Sequence, residues 1–397
     1  MGTEPVEALF KGDLVLTGAL YGVAGNLLYR DGSSLGGVSI SGHVSMAGNE
    51  IGLMIAGGDS LYFYNGSTIA AVSFPDGADV IHVTSGGSRF WFVRKDTGKL
   101  YWTNSLDSDV GALNFLTAES LPDRLLQTLW IDGGLIAFGS ESIEFYRQTG
   151  NATLPLAPIQ NLVIEKGIKA TGTACVFGET FACVTNQNQV IVQSERNVVS
   201  NVGLEARIAA SSVCKLFPFE IGGQDCLALR LDGETQVYNR RTGLWSEFTS
   251  YGQSNWLPQC YAGGVFGQSD GATSTFGTVF TDLGGVMERR IRAGFPINGG
   301  GLTISNMRLR CNTGQSTVRT GDYADPQVEM RLSDTNGQSW GEWEATSLGE
   351  RGDFGGQPEW RALGQASAPG FLAEVRVTDP VDFRLSGAFI NEAWGGR

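Results

Sequence analysis

Histidine is nearly absent, with His43 and His82 the only two in 397 residues. Both lie in strand-like sequence (SGHVSM and VIHVTS), so no metal-binding cluster and no Ser/His/Asp or Cys/His nucleophile arrangement can be assembled. Basic residues are also scarce. There are 28 Lys and Arg against 41 Asp and Glu, a formal charge of −13. A protein that holds DNA by its phosphates needs a dense basic surface, and this composition excludes a strong grip of that kind. No stretch approaches the ~20 apolar residues of a membrane span, and the Met1 end carries no basic-then-apolar signal. The six cysteines (Cys175, Cys183, Cys214, Cys226, Cys260, Cys311) form no CxxC pair, which fits reduced core residues of a chain made in a cytoplasm. Helical periodicity is almost missing.

What is present is glycine, at 56 residues against 12 prolines, together with aromatics spread along the whole length. That balance suits short strands joined by tight turns, since glycine takes positive φ without steric cost. A unit of two strands recurs. Its second strand carries an aromatic or apolar centre at Tyr29, Tyr62, Tyr101, Phe145, Ile191, Tyr238 and Phe280, at spacings between 33 and 47 residues. A hairpin repeating about every 40 residues is the mark of propeller blades, each of which buries its faces only against its neighbours. The expected fold is all-β: a propeller-like domain of six or seven blades at 18–298, then a β-sandwich at 299–397, with 1–17 a short segment ahead of both. Six segments after the PINGGG break alternate residue types as a two-layer sandwich requires (ISNMRLRCN, QVEMRLSD, SWGEWEAT, PEWRALG, FLAEVRVTD and FRLSGAFINE).

Candidate sites resolve into scaffold. In TAESLPDRLLQTLWIDGGLIAFGSESIEFYRQTGN (117–151), Glu141 and Glu144 are three apart on one strand and point to opposite faces, so they form no acid pair. Asp132 opens a turn, and Glu119 and Asp123 flank Pro122 in an irregular segment. The stretch SDTNGQSW (333–340) nearly matches the Asp-box hairpin, but Thr335 replaces its Asp, and it reads as a plain turn. Glycine-rich stretches lack phosphate-loop spacing and open no helix. The cluster ERRIRAG (288–294) supplies Arg289, Arg290 and Arg292 as a possible salt-bridged interface between the domains. No catalytic residue, metal ligand or cofactor site is expected.

The order of motifs resembles a known family. VAGNLLYRDGSSLGGVSISGHVSMAGNE, then 117–151, then VIEKGIKATG and MRLSDTNGQSWGEW are similar to the packaged-DNA stabilisation proteins of short-tailed bacteriophages, also called tail hub or nozzle proteins. The resemblance rests on Glu119, Ser120, Pro122, Asp123, Gly139, Phe145, Tyr146, Gly150, Lys166 and Gly167. It implies a non-enzymatic ring, a hexamer, in the virion tail, assembled in the host cytoplasm. Portal and adaptor proteins would sit above it, and needle, fibre or spike proteins below. Double-stranded DNA would pass through without sequence-specific binding, and an acidic wall would repel its phosphates. A carbohydrate-active enzyme or glycan-binding protein shares the same plan. It would need arginines and carboxylates converging at one mouth of the propeller. A host-attachment or baseplate component is a third reading.

Overall fold

The computed structural model describes residues 2–12, 16–40, 42–58, 60–118, 123–193, 197–277 and 279–391. The chain divides into two compact units, Met1–Phe276 and Gly277–Arg397.

The first unit is a ring of seven antiparallel sheets, called blades 1 to 7 here. Six have four strands each, spanning residues 6–37, 44–71, 80–117, 125–164, 174–198 and 214–248. Blade 7 has three, Pro258–Ala262, Val265–Gln268 and Thr273–Ser274. The first strands of consecutive blades touch all the way round, and that of blade 7 touches that of blade 1. First strands are therefore innermost, and the ring is closed.

Strand alternation explains the stacking. In Arg89–Arg94, Phe90 and Phe92 enter the core between blades 2 and 3, whereas Trp91 and Val93 enter the core between blades 3 and 4. Both faces of a blade are thus apolar, and each residue step switches seams. Seven such cores fill the seven seams. Two-residue hairpins join many strands. At Asp132–Gly133, φ is 49° and 73°, the pair of positive values that a type I′ turn demands. The α-helix Val202–Ala210 links blades 5 and 6 and packs Leu204 and Ile208 into their shared core.

Six of the seven repeat markers lie in the third strands of blades 1 to 6, for example Tyr29 in Leu27–Arg30 and Tyr238 in Glu234–Asn239. Phe280 does not, for it falls in the second unit. The expected segment 1–17 also differs, because Val6–Lys11 is the innermost strand of blade 1.

The second unit is a sandwich of a four-stranded and a three-stranded sheet around its own core. All six segments read as strands contribute to it, joined by Arg289–Pro296 at one edge. The break falls after Phe276, ahead of the expected 298/299. The reason is the pairing of Arg289–Pro296 along its whole length with Gly370–Val377.

Candidate functional site

The inner strands of the propeller carry a polar residue near the start of an otherwise apolar run: Glu7, His82, Gln127, Lys215 and Gln259, with His43 one residue ahead of Val44–Asn49. These side chains meet. Lys215 of blade 6 donates to Glu7 of blade 1 at 2.8 Å, past the intervening blade 7. His43 stacks on His82, with ring centroids 6.1 Å apart and planes 8° apart. A Cβ on Gly172, which leads into blade 5, would lie 2.6 Å from His43 Nδ1. Contacts between blades that are not neighbours can form only across the central opening, so this end of the axis is filled. Gln127 Oε1 accepts from the amide of Gly172, and Gln259 Nε2 donates to the carbonyl of Val6, tying adjacent blades there. Burial pushes His82 down to about 3, and burial with the nearby Lys215 charge pushes His43 down to about 4. Both rings are neutral near pH 7. Single-strand reading missed this constellation, although a polar residue at or just before the first strand of six of the seven blades is the signal that marks it.

The motif residues meet at the joint between blades 4 and 5. Asp123 Oδ2 accepts from the amides of Glu141 and Ser142, both at 2.9 Å, and fixes the turn after Gly139. Gly139 must be glycine, because a Cβ there would lie 2.2 Å from that same oxygen. Gly167 runs so close to the turn that its Cβ would meet the Ser140 carbonyl carbon at 2.0 Å. Lys166 donates to Gln189 in the next blade at 2.9 Å, and Ile168 bridges to Thr185. Tyr146 is buried and donates to the buried Glu144 at 2.6 Å, while Phe145 leans on Phe181 of blade 5. Gly150, at φ 73°, turns the chain into the outer strand Leu156–Ile164. Glu119, Ser120 and Pro122 lie outside the described residues. Of the acids described in this stretch, Asp123, Glu141 and Glu144 accept hydrogen bonds within the scaffold, Glu141 from Asn186 at 2.9 Å.

A family described as Bacteriophage P22 Gp10, beta-propeller, matches residues 6–216, more than half of the chain. The chain belongs to that family. Tail hub protein gp10 of Salmonella phage P22 is 26% identical over 187 residues, 42% of this chain and 39% of that protein. The chain thus matches well under half the length of this relative. Among solved structures, the extracellular domain of the putative hybrid two-component system BT4673 from B. thetaiotaomicron aligns at TM-score 0.49 and 13% identity. That alignment covers 87% of this chain and 46% of that one. The computationally designed Ika8 protein aligns at TM-score 0.42 and 14% identity, over 68% of this chain and 82% of its own.

In this member of the P22 Gp10 family the arginine cluster lies in the sandwich, beyond the matched region. Glu374 is fully buried and accepts from Arg292 at 2.6 Å and Arg331 at 2.5 Å, with Arg290 3.5 Å away. Burial alone would raise its carboxyl, yet these arginines outweigh burial and hold it below the ordinary range. Trp340 and Trp343 interleave with the guanidinium groups, Arg331 lying 4.8 Å from one ring and 4.4 Å from the other. Arg376 stacks on Trp343 at 4.0 Å and pairs with Glu329. Arg289 donates to the carbonyls of Asp379 and Val381. Arg289, Arg290 and Arg292 therefore find partners inside the second unit. The turn at 333–337 is held by Ser333 Oγ, which accepts from the amide of Gly337 at 2.9 Å, as a plain turn would be. Among the described residues, no group of His, Cys, Asp and Glu is arranged to hold a metal ion, and no helix is long and apolar enough to cross a membrane.

Proposed function

We propose that this chain is a wall subunit of the tail hub of a short-tailed bacteriophage. Six copies form a ring that extends the DNA channel and retains the packaged genome. Portal and adaptor proteins join it above, and a needle, fibre or spike joins it below. Membership of the P22 Gp10 family carries the reading. The filled propeller axis adds a constraint: side chains from blades 1, 2, 3 and 6 converge there with the backbone at Gly172, so a duplex has no passage through one copy. The bore of the hub is then the space enclosed between copies, and the blades are rigid bricks in its wall. The excess of 13 negative charges suits a wall that must let phosphates slide. The arginine–carboxylate cluster favours a structural role over a glycosidase, because its carboxylate is saturated by guanidinium groups under a tryptophan cover.

Mass measurement of the free chain and of assembled particles, with cryo-electron microscopy of the particle, tests this. Six copies around a bore lined mainly by acidic and neutral side chains are expected. A solitary copy that binds or cleaves glycans, or a bore lined by Arg and Lys, would overturn it.

A further inference from the structure

We propose that the sandwich unit accepts an extended strand donated by another polypeptide, in a slot where its smaller sheet lacks a fourth strand. Among the described residues, the larger sheet has the order Arg289–Pro296, Gly370–Val377, Gln327–Ser333, Glu344–Ser347, and the smaller has only Glu359–Ala366, Leu302–Cys311, Leu385–Ile390. Among the described residues, Leu385–Ile390 pairs with Leu302–Cys311 alone. Beyond its free edge, the inner face of Arg289–Pro296 is open at Ile291 and Ala293, while Phe295 at its far end packs on the core. Ile291 and Ala293 point the same way as their buried partners Val375 and Ala373, yet Ile291 is 49% exposed. Between these edges lies an apolar slot of about 240 Å³, lined by Ile291, Ala293, Met307, Leu309, Val375 and Ala388 among others.

The size and edges of the slot specify its occupant. A cavity of about 150 Å³ holds one benzene, so this one takes two or three aliphatic side chains. That is the number which a strand of five or six residues projects from one face. The unpaired backbone of Leu385–Ile390 supplies the hydrogen-bonding edge that strand addition needs. A second copy's sheet edge would bring its paired strands with it, whereas the slot has room for the side chains of one strand. A free arm does fit. Its flank is acidic by charge complementarity: Arg310 is exposed with no ion-pair partner among the described residues, whereas Arg384 beside it is already paired with Asp382 at 3.0 Å.

The test uses the full chain and two peptides of one composition. One has alternating valine and threonine between glutamate flanks, and the other has that alternation scrambled. Fluorescence anisotropy is expected to show binding of the alternating peptide only, weakened at least tenfold by Ala388→Glu. Hydrogen exchange of the 385–390 amides should slow at least tenfold with that peptide bound. Ile291→Glu, at a half-exposed position on the facing strand, gives the same loss should Ala388→Glu fail to fold. Equal binding of both peptides, no binding, or unchanged exchange at 385–390 overturns the proposal. So does protection that needs no peptide and rises with protein concentration, which would assign the slot to a second copy.

Discussion

Asp123 and Gly139 are locked together: the aspartate oxygen that takes two backbone amides stands where a Cβ on the glycine would be. Gly139→Ala overpacks the joint and is expected to cost about 1–3 kcal/mol. Asp123→Ala strands the amides of Glu141 and Ser142, for a similar loss of about 1–3 kcal/mol. The double variant should lose less than the two singles together, since removing the carboxylate makes room for the methyl group. Chemical denaturation of the four proteins measures this, and strict additivity would refute it.

Acid should loosen the propeller axis before it titrates most carboxylates. His43 and His82 have folded-state values lowered from 6.5 to about 4 and about 3, so unfolded chains bind protons that folded ones refuse. Their contribution to stability is complete above pH 6.5 and is lost as pH falls toward those values. The slope is about 1.4 kcal/mol per pH unit for each ring. Melting temperature is expected to drop from pH 7 to pH 5, and to drop far less in the doubly substituted His43→Asn, His82→Asn protein. Parallel pH profiles would exclude the histidines as the cause.

Removing the centre of the sandwich ladder should be costly. Glu374→Ala leaves Arg290, Arg292 and Arg331 facing one another, but their guanidinium groups reach solvent, so the loss is expected to be that of charged hydrogen bonds, about 1.5–3 kcal/mol. Hydrogen exchange is expected to rise in Arg289–Pro296, Gln327–Ser333 and Gly370–Val377 while the blades keep their protection. Uniform loss of protection across both units would contradict this.

The seam between blades 7 and 1 is the smallest, with Val6, Ala24 and Tyr29 as its buried apolar residues. Val6→Ala is expected to cost about 2–3 kcal/mol. It should also speed alkylation of Cys260, whose thiol contacts the Val6 carbonyl and is pushed up to about 12 mainly by burial. Peptide-level mass spectrometry after brief exposure to a thiol reagent reads this. If Cys260 labels no faster in the variant, ring closure does not depend on that seam.

The repeat and the fold class were legible because a blade strand is a local object. Tyr29, Tyr62, Tyr101, Phe145, Ile191 and Tyr238 each mark the third strand of one of blades 1 to 6, where a large apolar side chain packs wholly or partly into a seam. The alternation that announces the sandwich is local in the same way, as QVEMRLS shows with its buried Val328 and Met330. Arg289–Pro296 was assigned to the wrong side of the boundary because its partner strand lies some 80 positions later, and its own exposed pattern names neither sheet.

By itself, then, the amino-acid sequence determined the blade, the turn and the strand, where the deciding interactions lie within a few residues of one another. It also determined the family motif, although its residues became a joint only when Gly167 came to rest on Ser140. Tertiary structure alone decided the filled axis and the apolar slot beside Leu385–Ile390. Glu7 and Lys215 are 208 residues apart and meet only because seven blades close into a ring. The slot beside Leu385–Ile390 exists because four strands were laid over three. Neither is a property of any local stretch, for each depends on how many units pack and where the packing stops.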